Sequence, residues 1–578
     1  MRVDAFRRVL LQRAWAALPI VFASPAVFGQ ALTAPERLGA PSGLERPRLG
    51  REAAGPVFEL PDPAALETQQ DKLSSGLQLT VRRFEISGSS VFSAAELEAE
   101  AAPFLNRPIG SEDLEELRLR LTRRYVAAGY VNSGALVPDQ AVQDGVVSIR
   151  IVEGTLDEVI VGGAHRFEPE FIGARLMQGA GPPLNVGALQ ERMQLLLQNP
   201  QIERVNAELA PGERPGSSVL RVAVTEAPRH TLGLAFANHR SPSVGSERLE
   251  LLGAVRNLLG RGDAWSLRLG RTRGLGDHAL QASLPLNAAD TTLTLRHERN
   301  NAAVIEAPFD ALDIDSRSQT TEIGLRHPVF RTLRHGLTLG AALALREAET
   351  RLGGVPFSFS PGVRNGRSEV AALRLSAEWL ARGRDEVFSA RAVLSRGLDA
   401  FGSTVNRDGT PDSRFTAALF QAQWVRRVSE AGAQLVLRAD AQAADSALLP
   451  LEKFAVGGAD SVRGFRENRL IRDRGWAASA EWRFPVARLP LPGLSVLPED
   501  GRVSLALFAD AGRAWDKDKG AGDAGERLWG AGPGVRWDIS ADSYAQLYWA
   551  GLRRRAMQAG DDAQDRGVHF RLVLQKHF

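Results

Sequence analysis

One arginine stands out for what its surroundings would let it do. Val462-Arg463-Gly464-Phe465 closes the run LPLEKFAVGGADSVRGF at 449–465, inside a long stretch, 444–474, that reads as irregular loop. Further on, FADAG at 508–512 carries Phe508, Asp510 and Gly512. Arginine offers a planar fork of N–H donors that a carboxylate accepts two at a time, so Arg463 and Asp510 suit a charge-assisted, bidentate pair. That chemistry holds a loop in place; it does not make or break bonds. Gly457, Gly458 and Gly464 would supply the tight backbone of a hairpin tip. Read alone, the four letters VRGF fit a solvated basic loop equally well.

Constellations that carry reactions are missing. The nine histidines form no HExxH pair and the chain has no cysteine, so neither a metal centre nor a thiol nucleophile is indicated. There is no GxxxxGK[ST] phosphate loop and no GxSxG elbow, and GAGPG at 530–534 enters a strand where a nucleotide loop would enter a helix. No catalytic residue, metal or cofactor is therefore assigned. A net charge of +3 without a recognisable basic module argues against a nucleic-acid partner. The tripeptide Arg261-Gly262-Asp263 reads as turn chemistry between two strands.

What must position Arg463 and Asp510 is a set of strands. From residue 230 onward, helical periodicity stops and sixteen alternating segments follow, from 231–240 to 567–577. Even-numbered antiparallel strands of about ten residues, with long and short connections alternating between two rims, are the pattern of a transmembrane β-barrel. The connection 485–501 departs from it, being long where it should be short. Parity assigns faces. In RVSLALFADAG, Val503, Leu505, Leu507 and Ala509 share one side, and Ser504, Ala506, Phe508, Asp510 and Gly512 the other. In the last strand Val568, Phe570, Leu572, Leu574 and Phe578 would face lipid, and His569, Arg571, Gln575 and His577 would face inward. A soluble sandwich also alternates, but unpaired charge inside it costs several kcal/mol, so the inward polar residues favour a water-filled barrel. Asp510 then points inward, and the loop carrying Arg463 would fold back from the far rim to meet it.

Upstream, a basic stretch with Arg2, Arg7, Arg8 and Arg13 precedes the proline-broken apolar run 14–29, the form of a cleaved signal peptide at 1–29; a membrane anchor would need about 20 unbroken apolar residues. Proline-rich 30–78 reads as a linker, with one short helical piece at 64–73. Residues 79–154 have the order β-α-α-β-β, with Ser93 and Ser111 as expected N-caps, and 155–229 repeat that order more weakly. Residues 230–578 form the barrel.

With these residues quoted, the chain resembles the two-partner secretion outer-membrane transporters (TpsB type), relatives of the insertase BamA. AGYVNSGALVPDQAVQDGVVSIRIVEG at 128–154 looks like the family's first POTRA ending, VRGF and FADAG like its barrel motifs, and Phe578 is a terminal aromatic. The resemblance implies a 16-stranded transmembrane antiparallel β-barrel in the bacterial outer membrane, with two N-terminal α+β POTRA domains in the periplasm. It implies a secreted, TpsA-like exoprotein as substrate, outer-membrane lipid around the barrel, and barrel-assembly machinery during biogenesis. It also implies that Arg463 meets Asp510 in the lumen. Some members plug the pore with an N-terminal helix, which proline-rich 30–63 is ill suited to form. The alternatives are an insertase of the BamA class, whose members usually carry more POTRA repeats, and a passive porin, which leaves the N-terminal repeats without a task.

Overall fold

The computed structural model describes residues 57–59, 79–518, 525–553 and 560–578. The expected signal peptide, the 64–73 piece and any plug helix lie outside the described residues.

In the first repeat, α1 (Ala94–Ala101) and α2 (Ser111–Ala127) cover a three-stranded sheet. Its central strand, Val146–Val152, runs parallel to Arg83–Ser87 and antiparallel to Gly134–Leu136. Ser93 starts α1 as expected: its N–H donates to Glu96 Oε2 at 2.9 Å, and its hydroxyl accepts from the Glu96 N–H. Ser111 does not cap α2. Asp113 reaches back to the Gly110 N–H at 2.9 Å and pairs with Arg107, so the cap falls on Gly110 and Ser111 becomes the first helical residue. α2 then buries Leu117, Leu121 and Tyr125, spaced four apart on one face. The strand expected from 79 is interrupted: Leu79–Thr80 pairs with Pro108–Ile109, and the main sheet starts only at Arg83.

The second repeat repeats the plan with α3 (Pro169–Met177) and α4 (Val186–Leu197). Its sheet order is Val57–Glu59, Ile202–Pro211, Ser217–Glu226, Thr155–Gly162. Ile172, Leu176, Leu189, Met193 and Leu220 make its core. The first of these strands comes from the proline-rich segment and pairs in parallel with Asn206–Glu208, a strand that no periodicity announces.

In the first repeat's ending, Asn132 of YVNS joins the two repeats, and Glu153 of VEG ties the ending back onto the first repeat. Asn132 Nδ2 donates to Thr155 O, Gly216 O and Ser218 Oγ at 3.2, 3.1 and 3.0 Å. Glu153 accepts from the Ser90 N–H and hydroxyl at 2.7 and 2.5 Å, from the Val91 N–H at 3.1 Å and from Tyr125 Oη at 3.1 Å. Burial pushes the Glu153 carboxyl up, but the Ser90, Val91 and Tyr125 donors outweigh it and hold the group below the ordinary carboxylate range.

Sixteen staves close into one barrel. They are β1 (His230–Ala237), β2 (Arg248–Arg256), β3 (Ala264–Arg271), β4 (Leu275–Pro285), β5 (Thr292–Ala303), β6 (Ile314–Arg331), β7 (His335–Leu352) and β8 (Arg367–Arg382). There follow β9 (Glu386–Leu398), β10 (Thr416–Arg427), β11 (Gln434–Ala444), β12 (Arg474–Arg488), β13 (Arg502–Trp515), β14 (Glu526–Asp538), β15 (Tyr544–Trp549, resumed at Leu552–Arg553) and β16 (Val568–His577). β1 closes antiparallel on β16, from Thr231 opposite His577 to Ala237 opposite Arg571. Each predicted segment has its stave, although β6 and β7 run to 18 residues and extend into the expected loops 300–318 and 347–367. Parity holds along β13, where Leu505 and Leu507 are exposed and Ser504, Ala506, Phe508 and Asp510 are buried. The outward files are apolar, as a lipid-facing band requires. No helix among the described residues is long and apolar enough to cross a membrane.

The second repeat is docked on one rim through short turns. Arg175 lies 3.5 Å over the Phe171 ring and donates to Asp290, in the β4–β5 turn, at 2.8 and 3.0 Å. In the β2–β3 turn, Arg261 pairs with Glu168 at 3.0 Å and the Gly262 carbonyl accepts from Gln201 Nε2 at 2.8 Å. Asp263 accepts from the Leu258 and Leu259 N–H groups and from Trp265 Nε1. The tripeptide 261–263 is thus a turn that holds a domain.

Glu153→Gln tests how the ending is anchored within the first repeat. Losing hydrogen bonds to a charged, partly buried acceptor costs about 1–3 kcal/mol, so the midpoint for protease sensitivity of the first repeat on heating should fall at neutral pH. Because folding depresses this carboxyl, its contribution is present above the unfolded-state pKa and is lost as pH falls through the folded-state one; the variant should lack that acid-side loss. An unchanged midpoint at pH 7 would contradict this reading.

Candidate functional site

The connection between β11 and β12 folds back into the barrel. Its stem is a short hairpin, Phe454–Val456 paired with Leu470–Arg472, and its tip carries VRGF. Gly457, Gly458 and Gly464 take φ of 112°, 101° and 95°, which side-chain-bearing residues rarely adopt.

Arg463 is 5% exposed, and its side-chain donors meet partners on the barrel wall. Nε donates to Asp510 Oδ2 at 2.8 Å and Nη2 to Asp510 Oδ1 at 2.8 Å, the bidentate fork. The Arg463 backbone N–H adds a third bond to Asp510 Oδ2 at 2.9 Å. Nη1 donates to Glu481 Oε2 at 2.5 Å and Nη2 to Ser479 Oγ at 3.0 Å, both on β12. The guanidinium lies 3.8 Å from the Phe508 ring centre and 4.6 Å from that of Tyr548, two rings that meet edge to face. Tyr548 Oη donates to Glu481 Oε1 at 2.8 Å, and Arg483 Nε donates to the same oxygen at 2.7 Å. Two arginines thus face two carboxylates, which is how a buried charge cluster avoids an uncompensated ion.

The other motif residues form the seat. Val462 (0% exposed) and Phe465 (4%) join Phe454, Val456, Leu470 and Leu528 in one apolar cluster. Gly512 lies beneath it: a Cβ there would come within 2.6 Å of Val456 Cγ1 and 3.0 Å of Val462 Cγ2. On β14, a Cβ at Gly530 would lie 2.1 Å from the Arg463 carbonyl oxygen. These two wall positions are glycine because loop side chains and backbone occupy the space. Gly464 donates its N–H to His569 Nε2 at 3.1 Å, and its carbonyl accepts from Arg553 Nη1 at 2.6 Å.

The structure therefore brings together Val462, Arg463, Gly464, Phe465, Phe508, Asp510 and Gly512. Sequence reasoning missed Glu481, Ser479 and Tyr548. Parity could have flagged all three as inward, but nothing local says which inward residues converge on one guanidinium. It also missed a second anchor: Glu452, at the loop's base, accepts from Arg346 on β7 at 3.0 Å and from Arg374 on β8 at 3.1 Å. The loop thus reaches from β7 and β8 to β16. The loop folded back into the barrel, as expected, occupies part of the interior with its charge pairs. Among the described residues no cluster of His, Asp and Glu is arranged to hold a metal.

Comparison with known proteins agrees with the fold. The family profile of the haemolysin secretion/activation protein ShlB/FhaC/HecB matches residues 216–537, and that of the ShlB-type POTRA domain matches 79–154. The outer membrane transporter CdiB of Dickeya dadantii (strain 3937) is 24% identical over 510 residues, 86% of this chain and 87% of the relative. The heme/hemopexin transporter protein HuxB of Haemophilus influenzae (strain ATCC 51907 / DSM 11121 / KW20 / Rd) is 22% identical over 481 residues, 81% of this chain and 82% of the relative. The solved structure of CdiB from Escherichia coli shares the fold, with a TM-score of 0.65 at 21% identity over 88% of this chain and 92% of that one.

A cysteine-free chain makes the seat directly measurable. Val462→Cys should be protected from a membrane-impermeant maleimide, because Val462 is sealed between loop and wall. Adding Arg463→Ala strands Asp510 and leaves Glu481 with Arg483 as its arginine partner, at a cost of about 3–5 kcal/mol. Labelling should then rise severalfold while the barrel keeps its heat-modifiable mobility. Equal labelling in both backgrounds would show that Arg463 does not hold the loop.

Proposed function

The chain belongs to the haemolysin secretion/activation protein family (ShlB/FhaC/HecB) and is an outer-membrane transporter of the two-partner secretion type, its POTRA domains in the periplasm; on that premise we propose that it exports one large, unfolded exoprotein to the cell surface without ATP. The observation that carries the proposal is a polar-lined barrel holding one long loop by a few definable contacts, with Arg463 clamped by Asp510 and Glu481. Folding of the emerging substrate outside would bias its movement outward.

In this reading the POTRA domains receive the substrate as an added β-strand, where main-chain hydrogen bonds give affinity and alternate side chains give selectivity. The sheet order narrows the choice of edge. Ile202–Pro211 already has Val57–Glu59 along its outer side. Arg83–Ser87, Gly134–Leu136 and Thr155–Gly162 are outermost in their sheets among the described residues. An incoming chain therefore adds at one of those edges or displaces residues 57–59. The loop carrying Arg463 either shifts as substrate passes or stays as part of the wall.

Arg463→Ala and Asp510→Ala should each leave the barrel assembled and lower the amount of exoprotein reaching the surface. Wild-type secretion by both would remove the lumen-latch role. Depletion of the transporter separates the readings: loss of one secreted protein fits export, while broad loss of outer-membrane proteins fits an insertase.

A further inference from the structure

The connection between β12 and β13, 489–501, is long on the rim where the other turns are short, and its sequence, LPLPGLSVLPEDG, is mostly apolar. Three of its side chains point away from the protein: Leu489 is 58% exposed, Val496 84% and Leu497 38%. They prolong the outward apolar file of β12, in which Trp482 is 48% and Val486 55% exposed. At that end of the barrel Trp482 stacks on Phe484 with ring centres 5.1 Å apart, and Trp537 Nε1 donates to the Leu489 carbonyl at 2.9 Å. Such an aromatic collar marks the boundary between hydrocarbon and headgroups.

The backbone of the turn is unusually self-contained. Pro490, Pro492 and Pro498 have no N–H to satisfy. Leu489 N–H donates to Gly501 O, Leu491 N–H to Ser495 Oγ, and the Leu494 and Ser495 N–H groups to Leu491 O. Val496 and Leu497 both donate to Asp500 Oδ2, at 2.8 and 2.9 Å, and Asp500 is 5% exposed. Ser495 Oγ donates onward to Ile539 O at 2.6 Å, beside the next turn on the same rim. Irregular backbone is tolerated at a membrane boundary where its N–H groups are satisfied internally, and this turn bonds most of its N–H groups to its own oxygens while directing leucine and valine outward.

We infer that turn 489–501 is a membrane-docking element: Leu489, Val496 and Leu497 enter the headgroup–acyl boundary of the periplasmic leaflet of the outer membrane. Continuity with the lipid-facing file selects lipid as the occupant. A translocating polypeptide seeking strand addition would need an extended edge with free N–H groups, and most N–H groups of this irregular, proline-interrupted turn are already bonded. Exposed apolar side chains backed by an interfacial tryptophan are what binding at this depth requires.

The test uses the full-length protein in phosphatidylethanolamine–phosphatidylglycerol vesicles. Val496→Cys and, separately, Leu497→Cys carry the environment-sensitive fluorophore NBD. Glu430→Cys, in the water-exposed β10–β11 turn on the same rim, is the comparison. The 496 and 497 labels should emit blue-shifted light and be quenched severalfold by lipids brominated on the acyl chain, but little by aqueous iodide. The 430 label should show the reverse. If labels at 496 and 497 behave like the one at 430, the turn lies in water and the inference fails. It fails equally if they become protected only when the unfolded exoprotein is added, because the occupant is then the cargo.

Discussion

A guanidinium with almost no access to water has to be paired, and the pairing of Arg463 organises the inside of this barrel. Its fork is shared between Asp510 on β13 and Glu481 on β12, with Ser479 beside them and two aromatic faces enclosing the charge. Removing one partner from such a cluster strands the others, at about 3–5 kcal/mol, so the cluster resists piecemeal change. It also fixes a position. A bidentate contact defines where the tip of the loop sits on the wall, and glycines at 512 and 530 open the space for that approach.

The rest of the architecture serves that meeting point from two directions. Sixteen closed staves leave no free sheet edge, so alternate residues can be committed wholly to lipid or wholly to lumen. On the rim that carries the POTRA domains, Arg175 on Phe171 and Asp290, together with the turn at 261–263, ties the second domain to the mouth of the barrel. The POTRA pair is itself joined through Asn132. A substrate held on these domains would therefore be presented at a set angle to the lumen, where the loop spans from Glu452 to Gly464.

Much of this was legible in the sequence because its signals are local. Alternation of period two gave the faces of β13 and placed Asp510 inward, and helical spacing gave each repeat its two helices. Ser111 failed as a cap because Asp113 stands three residues after Gly110, and its bond back to the Gly110 N–H starts the helix one residue earlier. The residues that sequence did not reveal depend on closure. Glu481, Tyr548 and His569 become neighbours of the VRGF tip only after the barrel's stagger sets which inward positions meet, and parity carries no information about stagger. The pairing of Val57–Glu59 with the second domain was hidden for a different reason: three residues within a proline-rich run have no periodicity to read.

The account's central claim is that Arg463 and Asp510 act as one unit in export. The most direct measurement is a double-mutant cycle on exoprotein secretion, comparing Arg463→Ala, Asp510→Ala and the combined variant at equal barrel abundance. If the pair is the unit, the combined variant secretes no less than the worse single variant, because the second change removes a group already without its partner. Independent, multiplying losses from the two substitutions would contradict the claim.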